Sequence, residues 1–156
     1  MSTEPQTQGG RRADDLLALE NQVCFGLAVA ARSVIGLYRP VLEPLSLTHP
    51  QYLVMLALWE REPRSVRDLS DTLALEPATL SPLLKRLEAT GYVERRRSTA
   101  DERALEVRLT PAGRELRAEA EKIPRSIVAQ LGIPLSELEE LRDSLQRITA
   151  AALRDG

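Results

Sequence analysis

The chain has 156 residues, 43% hydrophobic and 28% charged, which excludes the composition of a disordered polymer and fits one domain of moderate core. Only 3% of residues are aromatic, so the core must come from Leu, Val, Ile and Ala, a set that favours helices over sandwich strands. The formal charge of −2 excludes a uniformly basic surface, yet phosphate attraction needs only one basic face.

Residues 1–12 carry almost nothing to bury and are expected to form a flexible tail. From Asp14, apolar residues at Leu16, Leu19, Val23, Leu27, Ala30, Val34, Leu37 and Val41 step by three or four. They predict a long first helix that ends or kinks near Pro40. Thr48 and Gln51 form a capping-box pattern with Pro50 in the first turn, so a second helix should run through Trp59. Ser65 with Asp68 starts a short third helix over Val66, Leu69 and Leu73; Glu76-Pro77 starts a fourth over Leu80, Leu83, Leu84 and Leu87.

Gly91 closes that fourth helix, and the pattern then changes to alternation: Val93, Arg95 and Arg97, a polar tip, then Leu105, Val107 and Leu109. A β-hairpin is expected between Tyr92 and Thr110. Thr110-Pro111 opens a helix reaching about Ile123-Pro124 before the pattern resumes, and Ser136 with Glu139 should cap a last helix ending near Leu153. The fold class is therefore mainly α with a small β-hairpin wing. No stretch approaches the roughly 20 apolar residues of a membrane span, and the single cysteine, Cys24, has no intrachain partner. A soluble chain in the reducing cytoplasm is expected, without a membrane partner.

Chemistry-bearing positions concentrate in two places. In the fourth helix, with its leucines inward, the outward residues are Thr79, Ser81, Pro82, Lys85 and Arg86: small hydrogen-bonding groups first, cations after. That order suits a helix reading a DNA major groove, although an ordinary amphipathic surface helix has the same composition. From Lys85 to Arg103 there are six basic residues against four acidic, a local excess of two positive charges. Arg95, Arg96, Arg97 and Arg103 surround a loop of Ser98, Thr99 and Ala100 that no monomer core requires. A solvated charge run is the alternative, but its position directly after the recognition helix favours a nucleic-acid contact. No metal-spaced cluster, Gly-rich phosphate loop or nucleophile-base pair is visible beyond Cys24 with His49, so neither metal nor cofactor is expected.

The stretch VRDLSDTLALEPATLSPLLKRLEATGYVERRRSTADERALEVRLTPAG, Val66 to Gly113, resembles the MarR family of winged helix-turn-helix regulators. That resemblance implies a homodimer built from N- and C-terminal dimerisation helices (13–46 and 111–156) around a DNA-binding region (47–110). It also implies double-stranded DNA with a palindromic operator as partner. Arg103 would reach a minor groove, with Asp101 fixing its guanidinium; Thr79, Ser81, Lys85, Arg86, Arg96 and Arg97 complete the expected DNA set.

The segments LENQVCF and LYRPVLEPLSLTHPQYLVMLALWE narrow the resemblance to organic-hydroperoxide-resistance regulators of the one-cysteine type. It implies that Cys24 is the peroxide sensor, hydrogen-bonded by tyrosines of the facing subunit, of which Tyr38 matches one. Where that subfamily carries Tyr-Pro-Gln-Tyr, this chain has His49-Pro50-Gln51-Tyr52. His49 thus either replaces a sensing phenol or sits on the surface of the first helical turn. Taken alone, a lone cysteine on an apolar-striped helix is usually a small buried hydrophobe; the resemblance favours a reactive thiol. With no second cysteine, oxidation by an organic hydroperoxide should end in a mixed disulfide with a small thiol or partner, or climb irreversibly to higher oxidation states. Three other functions compete: a MarR-type regulator released by a small ligand with Cys24 inert, a thiol peroxidase, and a dimerisation module that ignores DNA.

Overall fold

The computed structural model describes residues 15–101 and 103–154; the expected tail at 1–12 and the helix start at Asp14 lie outside the described residues. Its elements are α1 (Val23–Leu42), α2 (His49–Glu60), β1 (Arg64–Ser65), α3 (Val66–Leu73), α4 (Pro77–Thr90), β2 (Val93–Arg97), β3 (Leu105–Leu109), α5 (Pro111–Ala120), α6 (Lys122–Leu131) and α7 (Leu135–Leu153). Helix dominates, and the strands form one antiparallel sheet in the order β1-β3-β2. Two units are distinguished, Met1–Leu37 and Tyr38–Gly156.

In the first unit α1 starts later than its apolar spacing predicts. Leu19–Asn21 forms a separate 3-10 turn, because side chains compete for the carbonyls a longer helix would use. Asn21 Nδ2 donates to the Asp15 carbonyl at 2.7 Å, and Gln22 Nε2 donates to the Leu16 carbonyl at 2.7 Å. No described residue of this unit is buried. Contrary to expectation, one segment, Val23–Leu45, is long and apolar enough to cross a membrane by length and composition. Small residues raise its mean hydropathy alongside the branched ones, while Arg32 and Arg39 interrupt it. The helix ends at Leu42, two residues beyond Pro40, near the expected position.

The core of the second unit is assembled from α2, α3, α4 and the sheet: Leu42, Val54, Met55, Leu58, Leu69, Leu80, Leu84, Leu87, Val93 and Val107 are all fully or almost fully buried. Local starts follow the expected chemistry. Thr48 and Gln51 form the reciprocal capping box of α2, the Ser65 hydroxyl accepts the Asp68 N–H, and Thr110 Oγ1 accepts the Gly113 N–H at 3.1 Å. Gly91, at φ 91°, ends α4 in the left-handed region that only glycine enters without steric cost.

Three features depart from the expected order. A third strand, the two-residue β1, pairs Arg64 with Val107 and Ser65 with Glu106; it is too short to show a period. The break after α5 falls at Glu121, so Pro124 lies inside the first turn of α6, where its missing N–H costs nothing. Helix α7 begins at Leu135 behind Pro134 with no side-chain cap, leaving Ser136 inside the helix. No residue of α7 is buried, and Leu135, Leu141, Leu145, Ile148 and Leu153 face solvent.

The sheet and α5 are locked together at Gly113. A Cβ built there would overlap the Tyr92 carbonyl oxygen and press on Leu109, so the hydrogen of glycine is what permits the approach. The Gly113 carbonyl in turn accepts the Trp59 indole N–H at 2.9 Å. Substituting Gly113→Ala gains roughly 1 kcal/mol of helix propensity but forces overpacking of about 3 kcal/mol. A net loss of about 2 kcal/mol is expected in denaturant unfolding; an unchanged midpoint would contradict the close approach.

Candidate nucleic-acid interface and aromatic cluster

Helix α4 presents its expected face. Leu80, Leu84 and Leu87 are buried, Leu83 is half-buried, and Thr79, Ser81, Pro82, Lys85 and Arg86 are exposed. Helix α3 is held against its start by a tight turn in which Ala74 is left-handed at φ 52° and the Ser70 hydroxyl donates to the Leu75 carbonyl. Two short helices at a fixed angle follow, the arrangement that lets the second lie in a groove about 12 Å wide.

The wing hairpin pairs five residues on each side, from Val93 with Leu109 to Arg97 with Leu105. Its cations divide into two groups. Arg95 grips Glu88 of α4 with two hydrogen bonds, 2.6 Å from Nε and 3.2 Å from a terminal nitrogen. It therefore fastens the wing to the recognition helix rather than facing a ligand. Arg96 lies 3.1 Å from Glu94 on the same exposed strand, a pairing worth little in water. Lys85, Arg86, Arg97 and Arg103 are exposed and make no ion pair with any described acid. Among the described residues of α4 and the wing, these four carry the unpaired positive charges.

The tip differs from the expected guanidinium clamp. Asp101 Oδ1 accepts the backbone N–H of Arg103 at 3.0 Å, and no ion pair joins the two side chains among the described residues. Asp101 thus shapes the main chain and leaves the guanidinium of Arg103 to solvent. Ser98, expected to be a loop residue free of the core, is buried; its hydroxyl accepts the N–H groups of Ala100 and Asp101, and its own N–H reaches the Ala104 carbonyl at 2.8 Å.

Sequence reasoning missed Arg64, which is 5% exposed. From β1 it donates to the Arg61 carbonyl, Asp68 and Thr72 at 3.1 to 3.2 Å, tying the sheet to α3. Glu62 was missed as well: it accepts the Leu109 N–H and, at 2.6 and 2.9 Å, the guanidinium of Arg114. Glu62 joins elements far apart in sequence, so no spacing rule marks it, whereas the partners of Arg64 are local and an arginine in a two-residue strand has no periodic signature.

The second cluster is aromatic. Tyr38, near the end of α1, and His49 and Tyr52, in the first turn of α2, meet within the second unit: ring centroids are 4.9 Å apart for Tyr38 and His49, 5.8 Å for Tyr38 and Tyr52, and 6.3 Å for His49 and Tyr52. His49 is half-buried rather than on the open surface. Burial lowers its pKa below the ordinary histidine value, so at neutral pH the imidazole is uncharged and offers one donor and one acceptor. Burial raises the pKa of both tyrosines, with Tyr38 adding to the effect at Tyr52, so both phenols keep their protons and act as donors. In the first unit, Cys24 is a free, exposed thiol on α1. Among the described residues no three His, Cys, Asp or Glu side chains converge to hold a metal ion.

Residues 36–120 match the family described as transcriptional regulator SarA/Rot. The chain is 42% identical over 149 residues to the HTH-type transcriptional regulator TtmR of Methylorubrum extorquens, covering 96% of this chain and 73% of the relative. It is 39% identical over 131 residues to the organic hydroperoxide resistance transcriptional regulator of Bacillus subtilis, covering 84% and 89%. Among solved structures it is similar to reduced AbfR of Staphylococcus epidermidis bound to DNA, with a TM-score of 0.71, 32% identity and coverage of 86% and 94%. These relatives are regulators rather than enzymes, which removes the peroxidase reading. The chain belongs to the SarA/Rot family of MarR-like winged-helix transcriptional regulators, DNA-binding proteins related to the organic-hydroperoxide regulators.

Proposed function

We propose that the chain is a homodimeric, cytoplasmic repressor that holds a palindromic operator while Cys24 is reduced and releases it when an organic hydroperoxide oxidises that thiol. The observation that carries the reading is the exposure of the only cysteine of the chain, taken with the 39% identity to the Bacillus hydroperoxide-resistance regulator. Oxidation needs access. Attack of the thiolate sulfur on the peroxide forms an S–O bond, breaks the O–O bond and expels the alcohol, leaving a sulfenic acid on Cys24. A low-molecular-weight thiol then displaces water to form a mixed disulfide, since no second cysteine can resolve it.

Donors near the sulfur favour the thiolate. Tyr38, His49 and Tyr52 are proposed to supply them from the facing subunit, with the neutral His49 imidazole standing where a phenol is usual. A bulky group on Cys24 would disturb that cluster and shift the half-site spacing of the two DNA-reading regions.

Assembly as a dimer is supported by apolar surface that each unit leaves uncovered. In the first, Val23, Phe25, Val29 and Ile35 are exposed; in the second, the solvent-facing leucines and Ile148 of α7 continue the pattern. Helices apolar on an open face need a partner, and a second copy supplies the matching surface. The span-like composition of Val23–Leu45 is read here as that seam. A second reading, release by a small ligand with Cys24 inert, is favoured by a groove of about 420 Å³ beside α2, α5 and the start of α6, where Tyr52, Leu56 and Trp59 stand with the charged Glu60, Arg117 and Glu121.

Three outcomes test these proposals. Cys24→Ser should bind DNA as the wild type does yet stay bound when cumene hydroperoxide and cysteine are added, measured by fluorescence anisotropy; a Ser variant that still lets go sinks thiol sensing. The logarithm of DNA affinity should fall steeply with that of salt, and Arg103→Ala should flatten the slope by about 1 per cation removed; a salt-independent affinity would contradict phosphate contacts. Leu145→Glu should turn a dimer into monomer by light scattering, whereas an unchanged mass would place the interface elsewhere.

A further inference from the structure

The connection between α1 and α2 is short and stiff. Glu43–Leu45 forms a 3-10 turn, Ser46 is left-handed at φ 59°, and the Leu47 N–H donates back to the Leu42 carbonyl at 3.2 Å. Tyr38 lies seven residues before Leu45 and His49 four residues after it, so the aromatic cluster sits at both ends of this turn. The Leu45 carbonyl is held by the Tyr92 hydroxyl, which donates to it at 2.8 Å across 47 residues. Among the described residues this is the one hydrogen bond that joins the segment 38–48 to the segment 64–110.

Tyr92 is also where the main chain of the DNA-reading parts converges. Its N–H donates to the Leu87 carbonyl at the end of α4, and its carbonyl accepts the Thr110 N–H at the start of α5. The next residue, Val93, begins the wing and pairs with Leu109. That carbonyl is also the one pressed against Gly113. A pull on the phenol is therefore delivered to the recognition helix, the wing and α5 through one rigid residue.

We propose that Tyr92 is a positioning residue whose hydroxyl carries a displacement of the Tyr38, His49 and Tyr52 cluster into the recognition helix and wing. The proposal rests on the reading of the chain as a thiol-sensing repressor and adds the route by which that signal reaches DNA. A competing route exists in the packing of α2, which bears His49 and Tyr52, directly on α3 and α4.

Tyr92→Phe removes the hydrogen bond and keeps the ring. A duplex selected in vitro with the wild-type protein serves as the DNA, and the Kd is measured before and after cumene hydroperoxide with cysteine. The readout is the ratio of oxidised to reduced Kd, which a merely stabilising bond would not move. For Tyr92→Phe this ratio should fall about 2- to 12-fold, the range of one neutral hydrogen bond, with the reduced Kd little changed. Arg114→Met removes the ion pair to Glu62 in the same unit without touching the connection; it should lower the melting temperature and leave the ratio intact. If wild type releases, Cys24→Ser does not, and Tyr92→Phe keeps the full ratio, the tie is overturned and the α2 packing carries the signal. If Cys24→Ser releases as the wild type does, the thiol-sensing reading falls and takes the tie with it.

Discussion

Where Tyr92 crosses the start of α5, two stretches of main chain approach more closely than any side chain would allow, and Gly113 is the residue that makes the crossing feasible. Three hydrogen bonds surround it: Thr110 N–H to the Tyr92 carbonyl, Trp59 to the Gly113 carbonyl, and Thr110 Oγ1 to the Gly113 N–H. Each satisfies a polar group that would be costly to leave unpaired near the core. Because β3 runs straight into Thr110, the wing, the recognition helix and α5 share this one junction. Their mutual geometry is settled there before any ligand arrives.

Charge is apportioned around the same junction. Glu88 with Arg95 and Asp68 with Arg64 occupy partly buried positions where paired ions hold elements in register, and Glu62 joins them by gripping the exposed Arg114. Removing one member of such a pair would strand its partner, which is why these ions act as fasteners and not as bait. Exposed cations without an ion pair are left on α4 and on the wing, at Lys85, Arg86, Arg97 and Arg103, and among the described residues also at Arg32, Arg39, Arg67 and Arg125. A slightly acidic chain thus keeps a basic face, with its acids consumed in fastening or placed on other surfaces.

Most of the helical order was legible because it depends on local rules: caps at Thr48, Ser65 and Thr110, the left-handed Gly91, and the leucine spacing of α4. The change of period after Gly91 located the hairpin for the same reason. What escaped was either non-local or a local competition between side chain and main chain. Strand β1 has two residues and takes its identity from β3 alone. The true start of α1 depends on amide side chains that capture carbonyls, and Pro134 rather than Ser136 marks the start of α7. Of the site, the exposed face of α4 and the meeting of Tyr38, His49 and Tyr52 follow from pattern or resemblance. The division of the wing arginines between Glu88 and solvent does not, because the Arg95–Glu88 pair joins a strand to a helix. Asp101 illustrates the limit: its position two residues before Arg103 was read as a side-chain pair, whereas the shorter reach to the Arg103 N–H wins.

Ser98 closes the wing tip from inside, with its hydroxyl and N–H bound to residues 100, 101 and 104 and its side chain buried. On the proposed function, a loop ordered by its own hydrogen bonds would reach a groove already preorganised. The entropy of shaping it is spent in folding, so little of the attraction between cation and phosphate is consumed at the moment of association. On the proposed function, discrimination among DNA sequences would draw on the deformability of that groove as well as on the exposed face of α4.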